Sequence, residues 1–228
     1  MLCESRDWIR FASREYRDLY KKLAQRMAKN AKQMAPEFRK FREYLTQRAD
    51  VLPEHVEALL PLVSLKFFKK GEVILAQGAV GEYIYFVEQG LLRFYTIDEL
   101  GKEHILQFAP ENWWISDRNN FNQNQPAEFF LDAQEDSWVV QLDKGFFGRA
   151  SEMSKEFRAF HDQLLQRRVF QLYRRVYSLI GTSARQRYEE FVQAYPDLTQ
   201  RVPQWMIASY LGITPESLSR VRREVAGK

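Results

Sequence analysis

Residues 202–223, VPQWMIASYLGITPESLSRVRR, constrain the fold of this chain more tightly than any other stretch. Ile207, Ala208 and Leu211 form the apolar face of a short helix starting near Pro203. Gly212 supplies a tight turn. Thr214 is a good N-cap, and Pro215 stands at the first helical position, where a missing N–H costs nothing. In the second helix Leu218, Val221 and Val225 point inward. Glu216, Ser219, Arg220 and Arg223 fall at i, i+3, i+4 and i+7 on the opposite face. The pattern is a helix-turn-helix, and the plain alternative is an ordinary helical corner. The outward face favours the former. A solvated face usually mixes Lys and Glu, whereas this one offers an acceptor, a hydroxyl and two guanidiniums in a row. Arg engages both acceptors of a guanine edge, Glu accepts from an exposed base amino group, and Ser serves either.

The rest of the composition bounds the setting. The chain has 228 residues, enough for one large domain or two modest ones, and 45% are hydrophobic. No apolar run approaches the ~20 residues of a membrane-spanning helix, and the N-terminus lacks the apolar core of a signal peptide. The lone Cys3 excludes an internal disulfide framework and argues against a cysteine-ligated metal or cluster. A reducing cytoplasm is the expected location. Residues 66–150 carry 8 Lys/Arg against 13 Asp/Glu, while 151–228 carry 13 against 8. An acidic middle and a basic C-terminal part suit one region that meets phosphates and one that does not.

Along the chain, residues 5–48 read as helix, interrupted at Pro36. The partial apolar stripe of Ile9, Phe11, Tyr16, Leu19, Tyr20, Leu23 and Met27 suits an amphipathic helix packed on the domain or a dimer mate. A basic helix for DNA or a membrane surface is the alternative. Residues 54–64 predict a short helix. From Phe67 to about Leu142, short segments rich in Val, Ile, Phe, Tyr and Trp are punctuated by Gly71, Gly78, Gly81, Gly90 and Gly101. These predict a barrel or jelly roll with a D-E-L-G hairpin. Residues 151–179 return to helix. There Phe157, Phe160, Leu164, Val169, Leu172, Val176 and Leu179 are near-heptad with one slip, which fits a pairing helix or a core helix. A further helix covers 183–195.

PESLSR, with Glu216, Ser219 and Arg220, resembles the E-x-x-S-R recognition pattern of the Crp/Fnr family of bacterial transcription regulators. The similarity runs from about Leu45 to Arg223, and FKKGEVILAQGAVGEYIYFVEQGLLRFY resembles the first half of that family's cyclic-nucleotide-binding β-roll. The resemblance implies an α+β chain in four parts. These are an N-terminal helical extension (1–44), a jelly-roll-like sensor domain (45–150), a dimerisation helix (151–180) and a helix-turn-helix domain (181–228). The extension departs from the family, and Met27 and Met34 are alternative starts. The wing that normally follows the recognition helix is expected to be truncated or absent.

The resemblance also implies roles. Glu216, Ser219 and Arg220 would read bases, with Thr214, Ser217 and Arg223 on the DNA backbone. Phe157, Phe160, Leu164, Val169, Leu172 and Val176 would form the dimer seam. Partners would be double-stranded DNA, a second copy, RNA polymerase and a small-molecule effector, with no membrane. Family members that bind cyclic nucleotides use a Gly-Glu pair for the ribose and an Arg-Ser or Arg-Thr pair about ten residues later for the phosphate. Here Ser116 and Asp117 stand at the first pair, and Ala127 and Glu128 at the second. Glu128 would repel a phosphate, so cyclic AMP is expected to bind weakly or not at all. Trp113, Trp114, Asp117, Arg118 and Phe129 are candidates for some other ligand pocket. His55, His104 and His161 are too scattered for a haem or metal site, and no cofactor is expected. No catalytic constellation is legible, so the chain is not expected to be an enzyme. The competing reading is a small-molecule or nucleotide-binding module whose helix-turn-helix no longer reads DNA.

Overall fold

The strand-rich stretch folds into two antiparallel sheets whose composition follows from the alternation of its side chains. The structure, a computed structural model, describes residues 37–123 and 125–227. Among these, eight strands form two four-stranded sheets. One sheet has the order β1 (Val63–Phe68), β8 (Ser137–Leu142), β3 (Ile84–Gln89), β6 (Trp114–Ile115). The other has the order β2 (Val73–Leu75), β7 (Phe130–Ala133), β4 (Leu92–Ile97), β5 (Glu103–Ala109). The expected hairpin joins β4 to β5, with Gly101 at φ 77° and its amide on the Asp98 carbonyl. At Gly90, φ is 99° and a Cβ would stand 2.3 Å from Ser137 Oγ, so only glycine fits between β3 and β4.

Both faces of the central strands are buried, which explains their near-continuous apolar runs. In β3, Tyr85 and Val87 point into the roll, where they meet Leu92, Phe94, Leu131 and Val139. Ile84 and Phe86 point outward beneath helices α1 (Arg39–Arg48), α2 (Pro53–Leu59), α4 (Phe146–Met153) and α5 (Lys155–Gly181). Between these last two pairs, α3 (Arg118–Gln123) follows β6. Phe41 and Leu45 of α1 are fully buried in the same cluster, so the division expected at 44/45 falls inside a helix packed on the sheet. Glu88 fixes that helix, accepting the Lys40 amide at 2.6 Å and the Phe41 amide at 2.9 Å. The reading of residues 5–36 lies outside the described residues.

Two helix boundaries differ from expectation. The helix predicted over 54–64 ends at Leu59, passes through a 3-10 turn at Leu60–Leu62 containing Pro61, and gives way to β1. The helix predicted over 151–179 is two helices. Ser154 breaks the first and caps the second, its Oγ accepting the Phe157 amide at 3.1 Å. The resulting α5 has 27 residues and is about 40 Å long.

Along α5 the apolar residues divide into two sets. Phe157 and Phe160 are buried against Phe146, Phe147 and Tyr44 of their own chain, and Leu164 packs on the same cluster. Phe157 and Phe160 therefore do not lie on a free seam: the neighbouring α4 and α1 already cover them. Val169, Leu172 and Val176 are exposed, together with Phe170, Tyr173, Tyr177 and Ile180.

The third layer lies on the outer face of the second sheet. Leu91, Tyr95, Ile105 and Phe108 share a core with helices α6 (Ala184–Ala194), α7 (Leu198–Arg201), α8 (Gln204–Leu211) and α9 (Pro215–Ala226). Ser183 and Gln186 start α6 with a full capping box. Sheets and C-terminal helices thus give the mixed α+β architecture that the sequence implied.

Candidate nucleic-acid interface and sensor cavities

The turn between α8 and α9 is built as its residues dictate. Gly212 sits at φ 65°, ψ 37° and ends α8, where a side chain would be strained and would crowd Leu179. Thr214 Oγ1 accepts the Ser217 amide at 3.2 Å, and Pro215 follows at the first turn of α9. Leu218 and Val221 are buried against Ile207, Ala208 and Leu211. This packing leaves Glu216, Ser219, Arg220 and Arg223 exposed along the other side of α9.

Within that row the local contacts are weak. Arg220 Nε stands 4.0 Å from Glu224 Oε1, both well exposed. Arg223 Nε reaches the Ser219 carbonyl at only 3.4 Å. The Glu216 carboxyl is held below its ordinary value by its own amide and by the Thr214 hydroxyl, so it faces solvent as an ionised acceptor. The Thr214 hydroxyl is engaged by the cap and by Ser217 Oγ at 3.3 Å, and half-buried Ser217 lies beside it at the helix start. The six expected DNA contacts are therefore on one helix, and the four on its outer row are unobstructed.

Ser209 and Arg201 bind these helices to the roll. Ser209 Oγ accepts the Ile105 amide at 3.0 Å and donates to the Glu103 carbonyl at 3.0 Å. Arg201 of α7 engages Glu111 at 3.0 Å, Glu135 at 2.8 Å and the Gly90 carbonyl at 3.1 Å. Burial opposes ionisation of Glu111, but Arg201 and the Gly90 amide outweigh it and hold its carboxyl below 4.5. Nothing in the local sequence of Arg201 announces this role: both carboxylates come from the distant roll.

The residues expected to form a ligand pocket do not converge. Trp113 and Trp114 line a cavity of 240 Å³ between β6 and α5, together with Ser116. Asp117 is buried elsewhere, its Oδ2 accepting the Glu128 amide at 3.3 Å. Phe129 packs on Phe94 at 5.0 Å. The side chain of Arg118 lies outside the described residues. Ala127, where a phosphate-binding Arg would stand, is buried in the roll's own core, and Glu128 points to solvent. Tyr85, in the same interior, has its hydroxyl pushed up to about 12 by burial and by Tyr83 nearby.

A second cavity, of 470 Å³, lies between α5, α6, α8 and the edge of β5. Its wall holds Arg168 and Arg175, which nothing in their local sequence marks out.

Comparison with known proteins places this arrangement. Residues 65–153 match the cyclic nucleotide-binding domain family. FixK2 from Bradyrhizobium japonicum superposes with a TM-score of 0.62 at 17% identity, over 72% of this chain and 85% of the other. The chain shares the fold of that structure. A CooA mutant from Carboxydothermus hydrogenoformans gives 0.59 at 19% identity, over 75% of this chain and 79% of the other. The c-di-GMP responsive global regulator CLP from Xanthomonas campestris gives 0.58 at 14%, over 76% and 91%. No curated protein sequence matches the chain. The likeness of these three structures to this chain spans the roll, the long helix and the C-terminal helices described above. Among the described residues no helix is long and apolar enough to cross a membrane, and no group of three or more His, Cys, Asp or Glu is placed to hold a metal ion.

Proposed function

We propose that the chain is a sequence-specific DNA-binding transcription regulator that acts as a homodimer on a near-palindromic operator. The observation that carries this reading is the outer row of α9. A capped, well-packed helix presents Glu216, Ser219, Arg220 and Arg223 to solvent with no strong partner for any of them. Arg220 reads guanine through two parallel hydrogen bonds, Glu216 accepts from a neighbouring base amino group, and Ser219 contacts a thymine or a phosphate. Thr214, Ser217 and Arg223 position the helix on the backbone. The setting is the cytoplasm, where such DNA lies.

The exposed apolar row of α5 supports the dimer. Val169, Tyr173, Val176 and Ile180 follow 4, 3, 4 spacing, flanked by Phe170 and Tyr177, and a second copy of α5 would cover them. The seam thus runs C-terminal to Leu164 and retains Val169 and Val176 from the sequence expectation, with Leu172 at its margin. Pairing there sets two copies of α9 at a fixed separation.

The sensor cassette is degenerate in this reading. A buried phosphate needs a paired guanidinium, and the position that would supply it is Ala127. Calorimetric titration of the full chain with cyclic AMP or cyclic GMP is expected to give no binding in the micromolar range; micromolar affinity for either would overturn this part.

The function is tested by selecting bound sites from a random DNA pool with the full chain, and with Arg220→Ala alongside. A palindromic motif is expected, and the substitution should cost about 1–3 kcal/mol and relax one position per half-site. Absence of any enriched motif, with or without cell extract as a source of effectors, would contradict the reading.

A further inference from the structure

The 470 Å³ cavity contains a charge problem that the chain does not solve by itself. Arg168 and Arg175 lie at i and i+7 on α5, so both face the same side of that helix. Each is half-buried, and each donates to a neutral acceptor: Arg168 to the Gln107 side chain, Arg175 to the Tyr210 carbonyl. Among the described residues neither forms an ion pair with a carboxylate. Burial holds both guanidiniums below their ordinary value; Tyr195 and Tyr210 offset it only in part, and no carboxylate contributes. Guanidinium does not escape by losing its proton, so the cost of burial persists until an anion arrives.

Three further features define that anion. Arg187 also lines the cavity, its Nη1 held by the Thr182 carbonyl at 2.6 Å, and Glu190 is the one carboxylate on the wall, engaged with Ser178 at 3.2 Å. The wall is strongly positive, and a single carboxylate would neutralise only one of the half-buried arginines. A terminal phosphate carries about −1.5 to −2 charges at neutral pH and offers several acceptor oxygens. Aromatic rings supply the rest: Trp113 stacks on Tyr195 at 5.2 Å, and Tyr210 lies 3.8 Å from the Arg175 guanidinium. Flat π faces beside a cationic wall suit a planar heterocycle attached to a phosphate.

We propose that this cavity binds a nucleotide with a non-cyclic phosphate chain, at the junction of the long helix and the helix-turn-helix, outside the roll interior. Arg168 and Arg175 hold the phosphates and the half-buried Trp113 and Tyr210 rings hold the base, with buried Tyr195 backing Trp113. The site contains residues from α5, α6 and α8, so its occupancy bears on how the helix-turn-helix sits on α5. That consequence rests on the DNA-binding reading above; the binding itself does not.

The test is isothermal titration of the full chain, in metal-free buffer and without DNA, using ADP and GDP. Adenosine and inorganic pyrophosphate separate ring from charge. At least one nucleoside diphosphate, ADP or GDP, is expected to bind with a Kd below about 1 mM. Adenosine and pyrophosphate should each bind at least about tenfold more weakly. Arg168→Gln and Arg175→Gln, made singly and together, should each weaken binding, by about tenfold or more in the pair, without lowering the midpoint of thermal unfolding. Equal affinity in the double variant, or no heat of binding from either diphosphate up to several times that concentration, would overturn the proposal. Pyrophosphate binding as tightly as the nucleotides would overturn the role given to the rings. Because no DNA is present, failure here leaves the DNA-binding reading standing, and failure of site selection leaves this one standing.

Discussion

At the scale of single residues, polar groups divide into those satisfied by their near neighbours and those satisfied across the chain. Thr214, Pro215 and Gly212 form a self-contained local program: a cap, a helix start and a left-handed turn, each readable from its own side chain. Local programs of this kind are legible because cause and effect lie within a few residues. The same holds for the Ser183–Gln186 capping box, an S-x-x-Q signature in the sequence. Arg201 and Glu88 are different. Their partners lie in distant parts of the chain, so their roles exist only once the roll is built. Glu111 gives this a measurable consequence. Its carboxyl is held below 4.5 in the folded chain, so its contribution is present above that value and is lost as pH falls through the folded value. Urea unfolding should therefore show a steeper loss of stability in the wild type than in Glu111→Gln as pH falls below the ordinary carboxylate range. Parallel losses in the two proteins would remove Glu111 from the contact.

At the scale of elements, α5 shows what periodicity can and cannot settle. The apolar spacing was legible, and it located a long helix to within a few residues. It did not say which apolar residues face which neighbour. Phe157 and Phe160 obey the same rhythm as Val169 and Val176, yet α4 and α1 cover the first pair and leave the second exposed. The break at Ser154 was also missed, because the apolar rhythm continues through it and only the cap marks the boundary. The division has a direct test in sedimentation equilibrium. Tyr173→Glu with Val176→Glu should shift the full chain from dimer to monomer with its helix content retained, since both side chains are exposed within one copy. Phe157→Ala should instead destabilise each copy, by about 3–5 kcal/mol for a fully buried Phe, whatever the oligomeric state. A dimer that survives the double charge substitution would place the seam elsewhere.

At the scale of the whole molecule, the order of parts is readable because each part has its own pattern: short apolar segments punctuated by glycine in the roll, spacing near 3.5 in α5, and short capped helices at the end. The shared core was not readable. Leu91, Tyr95, Ile105 and Phe108 look in sequence like ordinary roll residues, but they pack against α6, α8 and α9. The 470 Å³ cavity belongs to the same category, since Arg168 and Arg175 come from α5, Arg187 from α6, and its rings from the stretch before β6, from α6 and its end, and from α8. A chain organised this way carries its recognition surface on a helix whose placement depends on everything beneath it. In the proposed dimer, two copies paired through α5 would present two α9 helices at one separation, and DNA recognition would then depend on half-site spacing as much as on base identity. The most direct measurement is the affinity of the full chain for a selected palindrome whose half-sites are moved apart one base pair at a time. Binding is expected to peak with half-site centres about 10 base pairs apart and to collapse when about half a turn is inserted. Affinity that does not depend on spacing would contradict a dimer reading DNA through paired α9 helices.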